Sequence, residues 1–341
     1  MQRYEFTDVL TGAHLECLYP GMQALKVKQS SSPEQATSIF FPGCSFLNYA
    51  LPLVSSVYDV LKRDGAVDGI SLLCCGKILS FEPDGEAVRA AYEVQFREHL
   101  LESGVKRIVA ACPNCVKALR GFLEEDEATA DIEIVALASE FARLGYRIDK
   151  DIAGSQIAAE YERNGASYAV EIADIAPGDL KFCVHDSCPD RDTGEFADGI
   201  RALLGEDLIH ETNHIRQKSY CCGSLVRAAG KYDAAVKMTK RHGQEAEDAG
   251  VQAIAASCMS CAYMLSNNQK AVPAFHYLEL LFNWRIDWPT ADEYMKLRFL
   301  FDDALGMIDM TAAESDNSTQ LAHSNDADAA SGSRAFIGLE N

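Results

Sequence analysis

Arg107-Ile-Val-Ala-Ala-Cys-Pro-Asn-Cys115 decides how this chain is read. An apolar run of strand length ends in a Cys-x-x-Cys pair, and an amphipathic stretch, Val116 to Glu124, follows at once. The same order returns at Val251-Gln-Ala-Ile-Ala-Ala-Ser-Cys-Met-Ser-Cys261, with Ala262 to Asn267 behind it. A strand handing directly to a helix is the unit of a parallel sheet covered by helices, and such sheets bind ligands at the carboxyl ends of their strands. Here that end carries two thiols. Pro113 falls at the first helical position, where its missing N–H is no loss and its fixed φ suits the turn.

Each pair is the last part of a five-cysteine pattern that occurs twice. The first copy is Cys44, Cys74-Cys75-Gly76 and Cys112/Cys115; the second is Cys188, Cys221-Cys222-Gly223 and Cys258/Cys261. The lone cysteine precedes the adjacent pair by 30 residues in one copy and 33 in the other, and the next gap is 37 against 36. This is an internal duplication with a soft-metal site in each half. The remaining two of the twelve cysteines, Cys17 and Cys183, read as small buried apolar residues.

Around the cysteines, short apolar runs alternate with longer amphipathic ones. Ser38-Ile-Phe-Phe precedes Leu47 to Lys62, Gly69-Ile-Ser-Leu-Leu precedes Gly85 to Ser103, Leu180-Lys-Phe-Cys-Val-His precedes Gly194 to Leu204, and the run before Cys221, read as a strand, precedes Lys231 to Ala249. Both halves close alike, at Ile132 to Phe141 and Val272 to Leu281. The expected fold is α/β: two tandem, pseudo-symmetric, Rossmann-like open parallel-sheet halves, each with its cysteine site at the strand ends. The expected divisions are an N-terminal extension and linker at 1–37, a first cysteine-rich domain at 38–150, a connector at 151–179, a second domain at 180–290, and a helix with an acidic tail at 291–341. The N-terminal extension and the tail are expected to be poorly ordered.

A chain of 341 residues can bury a core unaided, and twelve cysteines are too few for a disulfide-stapled scaffold. With no basic start followed by an apolar run, the reading is of thiols kept reduced in the cytosol. Ala36 to Tyr58 has no charge and is long enough to span a bilayer, but Pro42, Gly43, Asn48 and Pro52 interrupt it, so it reads as a strand and a buried helix. A net charge of −20 and a pI near 4.8 argue against nucleic acid and anionic membranes as partners.

Cys-x-x-Cys at a helix start places two thiolates on one side of a turn whose backbone N–H groups face the ligand, which suits an anionic metal–sulfur cluster. Adjacent cysteines in an extended strand point to opposite faces. Gly76 and Gly223, free to take positive φ, let the chain turn around a cluster and bring backbone amides near it. A cubane [4Fe–4S] cluster takes four thiolates, so either one cysteine in each half is a bystander or the cluster is not an ordinary cube. Zinc, satisfied by four thiolates, competes for at least one half.

Phe41-Pro-Gly-Cys44, Cys74-Cys-Gly-Lys77, Ala111-Cys-Pro-Asn-Cys115, His185-Asp-Ser-Cys188 and Cys221-Cys-Gly223 resemble the tandem cysteine-rich CCG domains of the heterodisulfide reductase B-type iron–sulfur family, over roughly 39–284. The resemblance implies that all five cysteines of each motif hold a non-cubane [4Fe–4S] cluster. It implies an oxidoreductase subunit exchanging electrons with a disulfide or dithiol. Related domains serve as iron–sulfur subunits of glycolate oxidase, anaerobic glycerol-3-phosphate dehydrogenase and lactate-utilisation complexes. The chain departs from the pattern at Ser187, where proline is usual, and in a slightly short first gap. No ferredoxin-type Cys-x-x-Cys-x-x-Cys run is present, so a ferredoxin-type or flavoprotein partner subunit is implied.

Three functions compete on the sequence: a disulfide-reducing redox subunit, an electron relay for a flavin dehydrogenase, and a zinc-binding interaction module. Lys77 is the candidate for tuning a cluster, while Arg227, Lys231, Lys237, Lys240 and Arg241 read as a solvated face rather than an anion site. His185 and Asp186 are expected to form a hydrogen-bonded pair ordering the strand end, or to share a proton with substrate sulfur. No nucleotide-binding glycine loop appears, and no catalytic residue is assigned.

Overall fold

The computed structural model describes residues 2–19, 26–28, 32–81, 85–169, 180–291, 301–302 and 305–307. A three-stranded antiparallel sheet of β1 (Gln2–Thr7), β2 (His14–Tyr19) and β3 (Lys26–Lys28) comes first in the chain. The first half then runs through β4 (Ser38–Phe41), α1 (Cys44–Arg63), β5 (Gly69–Ile70), α2 (Gly85–Ser103), β6 (Arg107–Ala110), α3 (Pro113–Leu123), β7 (Glu133–Ala136) and α4 (Leu137–Arg143). Its sheet is wholly parallel in the order β5-β4-β6-β7, so the winding reverses between β4 and β6. That reversal opens a crevice at the carboxyl ends of β4 and β6.

After α5 (Lys150–Asn164), the second half repeats the plan. It runs through β8 (Phe182–His185), α6 (Glu195–Leu204), α7 (Ser224–Ala228), α8 (Tyr232–Asp248), β9 (Ala253–Ala256), α9 (Met259–Asn268), β10 (Ala274–His276) and α10 (Tyr277–Leu281). The parallel order is β10-β9-β8, and a single bridge between Phe182 and Ile209 stands where β5 pairs with β4 in the first half. The fold is therefore two tandem Rossmann-like α/β halves. All of β8 and β9 is buried, as expected of strands covered on both faces.

The halves join through helices. Where α6 crosses α4, a methyl at Gly199 would lie 2.5 Å from the backbone of Ala138 and Ser139, so only glycine permits this approach. The Ser139 hydroxyl donates to the Glu195 carbonyl at 2.7 Å, and Arg120 grips the Glu195 carboxylate with contacts of 2.7 and 2.9 Å. On the other side α1 meets α9: the Tyr49 ring stacks on Tyr263 at 5.5 Å and meets Trp288 edge-on at 5.4 Å, contacts worth about 0.5–1.5 kcal/mol each beyond area burial. Pro52 removes an N–H from α1, and the helix kinks at Ala50, whose φ is −151°. No helix among the described residues is long and apolar enough to cross a membrane.

The N-terminal residues depart from expectation. Instead of a poorly ordered extension they form a sheet that buries Phe6, Leu10, Leu15 and Cys17. It is latched to the first half by the fully buried Asp8, whose carboxylate accepts from the Leu72 N–H at 2.6 Å and the Ser71 hydroxyl at 2.9 Å. Those partners lie more than sixty positions away, beyond the reach of any local pattern. The connector expected from residue 151 starts as α5, capped by Asp149 and tied to the second half by the Tyr161 hydroxyl donating to the Gln252 carbonyl. The tail from residue 308 lies outside the described residues.

Candidate metal centre

Most of the predicted cysteines follow a strand or sit at a helix start, whereas Cys221 and Cys222, where a strand end was expected, follow a short 3-10 turn at Arg216–Lys218. Cys44 is the first residue of α1, Cys112 caps α3 with Pro113 next, and Cys258 caps α9. Helix starts present free N–H groups and the positive end of the helix dipole, which favour a thiolate. Gly76 and Gly223 take φ of 72° and 88°, so the chain turns sharply after each adjacent pair. A methyl at Gly223 would lie 2.8 Å from the Ala235 carbonyl oxygen, and one at Gly76 would lie 3.0 Å from the Tyr92 ring.

The ten thiols converge on one cleft of about 780 Å³, counted with its solvent-facing mouth. They form an unbroken run of neighbours. Cys44 touches Cys74, Cys74 touches Cys75, Cys75 touches Cys115, and Cys115 touches Cys112. Cys112 then meets Cys258 of the second half, which continues through Cys261, Cys222, Cys221 and Cys188. The Cys222 and Cys261 sulfurs are 3.0 Å apart, and those of Cys188 and Cys221 are 3.9 Å apart. None of the ten is in a disulfide, and Cys17 and Cys183 lie apart from them as buried apolar residues.

Three thiols of this run are held down and the thiols flanking each are pushed up. Cys75 is held well below the usual thiol range by Cys115 and Cys74, Cys258 by Cys112 and Cys261, and Cys221 by Cys188 and Cys222. Their neighbours are pushed up in turn: Cys74 by Cys44 and Cys75, Cys261 by Cys222 and Cys258. Without a cation, then, the cleft can hold only some of its thiols ionised, because adjacent thiolates repel in a buried site. The donor set fits soft, cationic metal, which would allow the full set to ionise.

Flanking residues fix the two adjacent-cysteine turns. The Tyr92 hydroxyl, from α2, lies 2.6 Å from the Cys74 carbonyl, and the Thr239 hydroxyl, from α8, donates to the Cys222 carbonyl at 2.8 Å. In the first half Asp302 adds a contact from the chain's far end: its buried carboxylate accepts from the Cys74 N–H at 2.9 Å and lies 2.8 Å from the Tyr92 hydroxyl. Burial raises its pKa to about 7. Asp8, Tyr92 and Asp302 carry no motif, and nothing in sequence spacing points to them.

Lys77, half-buried, lines the cleft with Ile78, Leu225, Ala228 and Pro189. The basic residues behind the second motif do not line it. Lys231, Lys237 and Lys240 are exposed, Arg241 lies over the Tyr220 ring, and Arg227 lies over Tyr263. The expected His185–Asp186 pair is not formed. Asp186 binds Arg201 at 2.7 and 3.0 Å and accepts from the Arg216 N–H, which leaves His185 to face the thiols.

Comparison with known proteins agrees with the duplication. The family described as a CCG cysteine-rich domain matches residues 38–120 and again 182–266. No curated protein matches the chain. Among solved structures, the chain is similar to glutamate racemase isoform RacE1 from Bacillus anthracis at 12% identity and a TM-score of 0.33, over 80% of this chain and 84% of that one. It is also similar to a putative Asp/Glu racemase from Yersinia pestis, at 12% identity and a TM-score of 0.31, over 76% and 99%. Likenesses this weak carry no argument about activity. The chain carries two tandem copies of the CCG cysteine-rich domain, one in each α/β half, with their cysteines gathered in a shared cleft.

Proposed function

We propose that this protein is an iron–sulfur redox subunit that exchanges two electrons with a disulfide or dithiol held in the cleft between its halves. The observation that carries the reading is the unbroken run of ten thiols across that cleft, Cys112 meeting Cys258 where the halves join. In this reading Cys44, Cys74, Cys75, Cys112 and Cys115 hold one [4Fe–4S] cluster, and Cys188, Cys221, Cys222, Cys258 and Cys261 hold the other. When bound, each cluster supplies one electron. Cleaving R–S–S–R takes two electrons and two protons and yields two thiols, with the electrons drawn from a ferredoxin-type or flavin protein partner. Ile78, Leu225, Ala228 and Pro189 give the mouth an apolar wall that excludes water, and Lys77 is the cation beside it.

A second reading, an electron relay without a substrate of its own, draws on one observation: among the described residues no basic cluster beyond Lys77 lines the mouth. Anaerobic preparation separates these readings. About eight irons and eight sulfides per chain are expected, with re-oxidation of the dithionite-reduced protein by low-molecular-weight disulfides. Full clusters inert toward every disulfide, yet oxidised by a flavoprotein or quinone, would overturn the first reading in favour of the relay. Little iron in either half would overturn both.

A further inference from the structure

We propose that the imidazole of His185 is a ligand of the metal centre in the second half, which makes the two centres chemically unlike: nitrogen and sulfur in one, sulfur alone in the other. The inference rests on the reading that the second half holds a metal. His185 ends β8, three residues before Cys188, and is 2% exposed. Neither Nδ1 nor Nε2 has a hydrogen-bond partner among the described residues. A buried polar atom without a partner costs about 1–3 kcal/mol, so two on one ring need a reason.

The surroundings supply one. A ring nitrogen of His185 and the sulfurs of Cys222 and Cys261 all lie within 4.8 Å of one another. Ligand atoms on one tetrahedral metal, with bonds of about 2.0–2.3 Å, stand about 3.5–4 Å apart, so a small closing movement completes the set. The His242 ring meets His185 edge to face at 4.4 Å and leaves both ring nitrogens unengaged, so a lone pair is available to a metal.

The other buried imidazoles nearby have roles already. His242 Nε2 lies 2.8 Å from the Tyr220 carbonyl, and His276 Nδ1 accepts from the Leu278 N–H to cap α10. The duplication provides an internal control. The register that pairs His185 with Ala256 in the second sheet pairs Phe41 with Ala110 in the first, so Phe41 occupies the matching place beside the first cysteine set.

The test uses the full chain, purified without oxygen after growth on ¹⁵N-histidine. If the second half holds iron, pulsed EPR of the reduced protein is expected to show one strongly coupled histidine nitrogen. If it holds zinc, X-ray absorption is expected to show a nitrogen at about 2.0 Å among the sulfurs. His185→Phe, which copies the first half, should abolish that signal and leave the first centre's metal in place. The wild-type measurement stands even if this variant does not fold. Metal in the second half with only weak histidine coupling, or with sulfur scatterers alone, overturns the inference and leaves the functional reading intact. No metal in the second half overturns both.

Discussion

Gly43→Ala tests whether the first cysteine set is as tightly built as its geometry requires. Gly43 immediately precedes Cys44 and has φ 76° and ψ 157°, a region essentially reserved for glycine; forcing an L-residue into it costs about 1–3 kcal/mol. The added methyl would also lie 2.8 Å from the Cys115 sulfur and 3.6 Å from the Cys112 Cβ. Because neither neighbour can retreat without moving a helix start, overpacking adds about 1–3 kcal/mol. The total of about 2–6 kcal/mol falls on the first cysteine set, while the second half, with Ser187 in the matching place at φ −69°, is untouched. Gly65→Ala is the control: its φ is also positive, at 69°, but no atom lies within 4 Å of the new methyl, so it should cost about 1–2 kcal/mol and no metal. Metal analysis with urea unfolding reads both effects. Gly43→Ala should lose the first half's share of metal, about half of the total, and Gly65→Ala none. If Gly43→Ala keeps the full complement and is no less stable than Gly65→Ala, the reasoning from close approach to the thiols is wrong.

Two further outcomes follow from the same geometry. In metal-free protein the Asp302 carboxyl, raised by burial from 3.8 to about 7, contributes stability at acid pH that is lost as pH rises through about 7, up to about 4 kcal/mol. Asp302→Asn keeps an oxygen for the Cys74 N–H, so its urea stability should match wild type near pH 4 and exceed it by up to that amount above pH 8; parallel curves would refute the role of burial. Mild oxidation of metal-free protein should first join Cys222 to Cys261, the pair at 3.0 Å, and peptide mapping that finds a different first crosslink would count against the described packing.

Much of the architecture was legible along the chain because it is written in local periods. The switch from strand runs to amphipathic runs brackets α2 at Gly85–Ser103 and places α3, α8 and α9 close to their observed bounds. The duplicated cysteine spacing locates two thiol sets at strand ends, since a parallel sheet leaves its carboxyl ends open. Gly76 and Gly223 were legible for the same kind of reason: a sharp turn right after two adjacent cysteines asks for positive φ, and both have it.

The rest depends on contacts between residues far apart in sequence. Asp302 reaches Cys74 across 228 positions and Asp8 reaches Leu72 across 64, so no window of sequence holds both partners. The N-terminal sheet looked like an extension because its alternation is brief, and its burial comes from docking on the first half. His185 looked like a partner for Asp186 because they are adjacent, but Arg201 takes the carboxylate and leaves the ring among the thiols. Sequence alone determined which residues can bind a soft metal and that there are two sets of them. Only the tertiary structure decided that the sets share one cleft, because the packing of α4 on α6 and α1 on α9 is what turns two separate strand ends toward each other.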